Sequence, residues 1–283
     1  MASTPTVLER PVSARRWRPA VAPSLLAFTR RFARDWLPPL IIIALVLAIW
    51  EVASLTGLLK EFVLPGIPAV LGAFVKDGDL IVKHAQPTIV EAVLGFAIGN
   101  GAAVALAVLF VHSSLAERGL FPVALGYRSI PIVAITPVLV LALGNGLEPK
   151  VLIASMSCFF VTLVNMMRGL RSVDREAAEL MHSLSVNWWQ VLVKVRWPAS
   201  MPFLFTSLKL AAGGCFTGAL VAEWIGSTQG LGYLVVLSSY QFHIPTMWAT
   251  IFTASGMALC AFFLVSLLER RLTGWTHGAS LPE

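Results

Sequence analysis

The sequence predicts an all-α, polytopic membrane protein with about six transmembrane helices. Of its 283 residues, 57% are hydrophobic and 13% charged, whereas an ordinary soluble domain carries about 25% charged residues. The mean hydropathy is +0.78, and the charges cluster between apolar runs near the roughly 20-residue length that crosses a bilayer. A soluble fold would need a polar shell that this composition cannot supply. The net charge of +6 and the pI near 9.6 do not point to nucleic acid. The basic residues sit in short segments beside apolar runs, as membrane orientation requires.

Residues 1–36 contain seven arginines and no sustained apolar face, which predicts a flexible basic cytoplasmic tail. The first long apolar run begins near Leu40, too late for a cleaved signal peptide, so it reads as a retained helix. Spans are expected at 37–57, 88–111, 120–143, 150–168, 201–225 and 248–268. The first, third and fifth contain ionisable residues, and Pro131 and Pro137 should bend or break the third. Segment 58–87, with LPGIP at Leu64 to Pro68, predicts a short interfacial helix, and residues 226–247 form a second loop on that side. Residues 271–283 read as a C-terminal tail.

Lys and Arg counts orient the spans, because cytoplasmic segments hold the excess. With the N-terminus inside, inner segments hold fifteen, outer segments hold four (Lys60, Lys76, Lys83, Lys150), and Arg128 and Lys209 lie within helices. The expectation is an even number of spans with both termini cytoplasmic.

The long inner loop, residues 169–200, is too polar to span and too patterned to be a slack linker. Leu180, Leu184 and Trp188 fall at helical spacing, and Trp189, Leu192 and Val193 continue an apolar face after a break near Ser185. Two short helices with a turn fit, with Pro198 and Pro202 ending the second helix and starting the next span.

At this loop the sequence resembles the permease subunits of bacterial type I ATP-binding-cassette importers, whose cytoplasmic loop carries Glu-Ala-Ala, a following Gly and an apolar-x-Pro end. The literal string Glu176 to Ala178 is a decoy. Counting back from Pro198, and matching Trp189-Gln190 to the family's Trp-Gln, places the family Glu at Glu179 and its Gly at Ser185. The coupling loop implied by the resemblance comprises Glu179, Leu180, Met181, Leu184, Ser185, Val186, Trp189 and Gln190. Leu180 and Met181 replace the small residues, and Ser185 replaces the turn Gly.

Trp50-Glu51, LPGIP, the SIPIVAITPVLVLALGNG stretch ending at Gly146, and VAEWIGSTQGLGYLV at Val221 to Val235 extend the resemblance to the nitrate, sulfonate, taurine and bicarbonate branch. The implied organisation is a tail (1–36), a first span with a periplasmic interfacial segment (37–83), a permease core (84–270) and a second tail (271–283). The implied partners are ABC ATPase subunits, a periplasmic or lipid-anchored substrate-binding protein, a second permease copy and the lipid bilayer of the bacterial inner membrane, with no nucleic acid. The chain itself would perform no chemistry and need no cofactor. It has no phosphate-binding Gly-rich loop followed by Lys-Ser/Thr, so ATP falls to a partner. The implied function is alternating-access import of a small solute, an anion such as a sulfonate, nitrate or organic acid. A vitamin or pyrimidine precursor is the alternative, and an ATP-independent secondary transporter a more distant one.

Ionisable residues inside a bilayer are costly and therefore mark candidate pathway groups. Glu51, Glu91, Arg128, Lys209 and Glu223 qualify. Arg128 and Lys209 fit snorkelling, pairing or substrate contact, and Glu223 fits a structural partner or gate. Small residues recur every four positions at Gly95, Gly99, Ala103 and Ala107 and at Gly214, Gly218 and Ala222, as in close helix packing. Gly213, Gly214 and Thr217 are alternatively pathway-lining, and Asn100 and Asn165 serve as interhelical bonds or substrate contacts. Cys158, Cys215 and Cys260 read as packing residues without metal spacing. The five histidines are scattered, which disfavours an intramembrane enzyme.

Overall fold

The computed structural model describes residues 25–57, 62–173, 181 and 186–273, and these contain helices and no strand. The chain divides at residue 53 into two units. The described residues of the first belong to helix α1 (Leu25–Leu55), whose segment Leu37–Leu55 has mean hydropathy 2.1. It starts at Leu25, inside the stretch expected as a flexible tail. Residues 25–37 contain neither Gly nor Pro and are rich in Leu, Ala and Arg, which favour helix, so the helix extends backward past the paired prolines Pro38 and Pro39, while the apolar span itself starts at Leu37.

The second unit contains α2 (Ile67–Lys76), α3 (Gly78–His112), α4 (Ser114–Arg128), α5 (Ile132–Leu143), α6 (Leu147–Arg171), α7 (Trp188–Trp224), α8 (Leu231–Tyr240) and α9 (Ile244–Leu272). Helix α2 is the short helix announced by LPGIP, with Gly66 before it and Pro68 in its first turn. Helix α3 begins ten residues ahead of the expected span, because its polar start at Gly78 is helical and Pro87 lies within it. Among the described residues, five helices are long and apolar enough to cross a membrane, and six if α4 and α5 count as one bent span.

That bent pair turns by 101°. The break falls at Ser129–Pro131, where Pro131 caps α5, whereas Pro137 lies inside α5 without interrupting it. Proline disfavours helical geometry in the residue before it, so the chain leaves the helix ahead of Pro131.

Pro198 and Pro202 do not end a helix as expected. Helix α7 runs through both, using a π-turn at Leu192–Arg196 in which the Trp197 N–H reaches back to the Leu192 carbonyl. The wider turn makes room for the ring of Pro198, which would otherwise clash with a carbonyl one turn back.

Helix α6 is the centre of the bundle. In its most apolar window 56% of the residues are buried, against 6% in α9. It packs between α3 and α7, and the packing is glycine-mediated. A methyl at Gly95 would stand 2.5 Å from Ala154 Cβ, and one at Gly99 would stand 2.5 Å from the Ser155 carbonyl. On the other side, a methyl at Gly218 would stand 2.9 Å from Ala154 Cα. Both stripes read in the sequence are therefore contact lines for α6. Two apolar clusters complete the core: Ala92, Ala154, Cys158, Ala211, Cys215 and Ala219 at mid-height, and Phe110, Leu163, Met166, Leu170 and Leu192 towards the end that carries residues 172–187.

Candidate functional site

Glu223, on the last turn of α7, is buried at the start of α8. Its Oε2 accepts the Gly232 N–H at 2.6 Å, and its Oε1 accepts the Thr88 hydroxyl at 2.6 Å. Thr88 in turn accepts the Leu231 N–H at 2.9 Å, and His84 Nδ1 accepts the Gly230 N–H at 3.1 Å. Three successive amides at the N-terminus of α8, which have no partner within that helix, are thus each met by a buried side chain. His84 and Thr88 come from one face of α3, and Glu223 comes from α7. A carboxylate there also faces the positive end of the α8 dipole.

Of the candidate pathway residues of the second unit, Glu91 lies on the α3 face that meets Glu223, one turn after Thr88, whereas Lys209, Arg128, Gly214 and Thr217 are placed elsewhere. Lys209 on α7 pairs with Glu269 on α9 at 2.8 Å. Arg128 is exposed at the end of α4, with its guanidinium carbon 5.1 Å from the centroid of the Phe160 ring, a cation–π placement. Beside it, the Tyr127 hydroxyl donates to the Met156 carbonyl. Gly214 faces the Ser157 carbonyl, where an added methyl would stand at 3.3 Å. Thr217 is exposed and donates to the Gly213 carbonyl at 3.1 Å. Asn100 makes an interhelical bond, accepting the Thr162 hydroxyl at 2.5 Å, while Asn165 bonds within its own helix to Val161 at 2.8 Å.

At the opposite end lies the predicted coupling segment. Glu176, Glu179, Leu180, Leu184 and Ser185 fall outside the described residues. The Val186 N–H donates to the Met181 carbonyl at 3.2 Å, and α7 starts directly after, at Trp188. Trp188 turns inward onto His112 of α3, with ring centroids 4.2 Å apart, and Leu192 enters the core. Trp189 is 60% exposed, and Gln190 and Val193 are also exposed. The apolar positions 189, 192 and 193 are therefore split between the core and the surface. Arg171 and Glu117 close the neighbouring gap between α6 and α4 at 2.6 Å.

Sequence reasoning passed over His84, Thr88, Lys150, Gly230 and Gly232. A signal existed on α3, since His84, Thr88 and Glu91 recur at helical spacing on one face. Their partners, however, lie more than 50 positions away in the chain, and only the fold brings them together.

Residues 95–274 match the family described as the binding-protein-dependent transport system inner membrane component. An ABC transporter permease protein of Haemophilus influenzae is 29% identical, over 83% of this chain and 96% of its own. The aliphatic sulfonates transport permease SsuC of Bacillus subtilis is 30% identical, over 86% of this chain and 88% of its own. The riboflavin transport system permease RibX of Chloroflexus aurantiacus is 30% identical, over 82% of this chain and 87% of its own. Among solved structures, an inward-facing MetNI methionine ABC transporter chain aligns with a TM-score of 0.56 at 16% identity, covering 68% of this chain and 93% of that one. The fold is that of a type I ABC importer permease.

Proposed function

The chain belongs to the family of binding-protein-dependent transport system inner membrane components, and from that membership we propose that it forms half of the pathway of an ATP-driven importer. The observation that carries this reading is the polar loop between α6 and α7. It stands where the family docks its ATPase, with Glu179 and Pro198 at the family spacing. Both termini face the cytoplasm, so the α8 end faces outward and receives solute from a substrate-binding protein. Two copies enclose the pathway. Closure of the ATPase dimer moves the loops, and the helices switch access from one side to the other.

The proposed cargo is a small anion such as a sulfonate, nitrate or organic acid. Support comes from the sulfonate permease relative and from Arg128, a cation exposed at the α4–α5 break. A vitamin or pyrimidine precursor is the second reading, favoured by the riboflavin permease and by a formylaminopyrimidine permease of Halalkalibacterium halodurans that is 28% identical.

Reconstitution tests the proposal. The chain is placed in proteoliposomes with an ATPase subunit and a substrate-binding protein from the same genome, and uptake of labelled sulfonate and riboflavin is compared with and without ATP. ATP-dependent uptake of one solute is expected. Uptake that continues without ATP, from a chain that retains no ATPase subunit on purification, would overturn it.

A further inference from the structure

The α8 end buries more charge than its cap needs. Glu91 of α3 and Glu223 of α7 are each 1% exposed, and Lys150 of α6 is 5% exposed. Lys150 Nζ lies 3.0 Å from Glu91 Oε1. The Thr88 hydroxyl that bonds Glu223 Oε1 stands one turn before Glu91 on the same face of α3, which sets the two buried carboxyls side by side. Glu91 Oε2 is fully buried and has no hydrogen-bond partner among the described residues.

An ionised carboxylate only accepts hydrogen bonds, so two facing carboxylates form none until one carries a proton. One ammonium balances one carboxylate and leaves the second with no counter-charge out of water, offset only by a hydroxyl, an amide and the α8 dipole. Burial of that kind is so costly that a group neutralises instead. A metal ion would have to sit beside the Lys150 ammonium, whereas a proton fits within the existing contact. The remaining ionisable groups nearby are Lys83 and His84 on α3 and Tyr233 on α8, whose ring centroid is 5.7 Å from that of His84. His84 receives the Gly230 N–H on Nδ1, so its imidazole is neutral in this arrangement and adds no positive charge.

We propose that Glu91 and Glu223 form a proton-binding site that holds one proton between the two carboxyls, with Lys150 balancing the remaining negative charge. Because Glu223 also accepts the Gly232 N–H, the proton fastens the start of α8. Its loss sets two like charges against each other at the point where α3, α7 and α8 meet.

Infrared difference spectroscopy on the full chain in lipid nanodiscs, together with Glu91→Gln, Glu223→Gln and Lys150→Gln, tests this. The wild type should show a protonated-carboxyl stretch near neutral pH that shifts in D2O and disappears as the pH is raised. The band should be lost in E91Q and E223Q, where the remaining carboxylate has the ammonium to itself. It should gain intensity in K150Q, where a second proton is taken up. The absence of a protonated-carboxyl band from the wild type would overturn the proposal, and so would a band that persists undiminished in both glutamine variants. The wild-type spectrum can overturn it alone, so a variant that fails to insert leaves the outcome decidable.

Discussion

Gly230 and Gly232 both press against Glu223, and Gly232 also meets the Leu220 backbone carbonyl. A methyl on Gly230 would overlap the Glu223 carboxyl, and one on Gly232 would stand 2.9 Å from Glu223 Cβ. Gly230 also adopts φ +107°, a left-handed conformation that side chains disfavour. Gly230→Ala should therefore lower stability by about 1–3 kcal/mol, read from thermal unfolding in detergent. Adding Glu223→Ala should cost less than the sum of the two single changes, because the second removes the group the first collides with. At Gly99 the obstacle is the Ser155 backbone carbonyl, which cannot swing away as a side chain would. Gly99→Ala should cost about 1–3 kcal/mol in the same assay, while Gly101→Ala, with nothing within 4 Å of its added methyl, should be close to neutral. The glycine stripe was legible because spacing alone reveals it. The roles of His84 and Thr88 were hidden, because their partners are backbone amides 146 and 143 positions away.

Among the helices, the prolines divide instructively. Pro131 gave the break between α4 and α5 in advance, since a proline after Ser129-Ile130 has no packed turn to hold it in helix. Pro198 looked equally disruptive, yet α7 continues through it because the π-turn at Leu192–Arg196 widens the helix just ahead of it. No residue pattern announces such a turn. The pairing of Lys209 with Glu269 was likewise open, because sequence could place the lysine on a span but could not say which helix faced it. Both side chains are largely buried, at 22% and 18% exposure, so breaking the pair strands a charge away from water. Lys209→Glu should cut the yield of folded protein severalfold, measured by fluorescence-detected size exclusion. The double exchange K209E/E269K should recover most of it. Equal loss in the single and double variants would show that the pair does not join α7 to α9.

For the whole molecule, the proposed function rests on the loop that joins α6 to α7. The family match and the membrane fold were both legible from composition, run length and motif order. Most of the loop lies outside the described residues, and the register that sets Leu180 and Met181 at the family's small residues and Ser185 at its Gly is an expectation from the resemblance. Glu179→Arg in the assembled transporter should abolish the coupling of uptake to ATP hydrolysis while leaving membrane insertion intact. Glu176→Arg should retain more than half of the uptake in the same vesicles. The reverse result would move the family Glu to the literal string. Exposed Trp189 gives a second check, since its fluorescence should shift on addition of the ATPase subunit if this face is covered.

The glycine contacts that clasp α6 on two sides have a mechanical corollary. At Gly95, Gly99 and Gly218 backbone rides almost directly on backbone, so there are no long side chains to flex and absorb displacement. Helices α3, α6 and α7 should therefore move together as one stiff lever. Arg171 at one end of α6 and Lys150 near the other are about 30 Å apart at helical rise. A tilt imposed beside Arg171 should therefore reach the charged pocket at the far end with little loss.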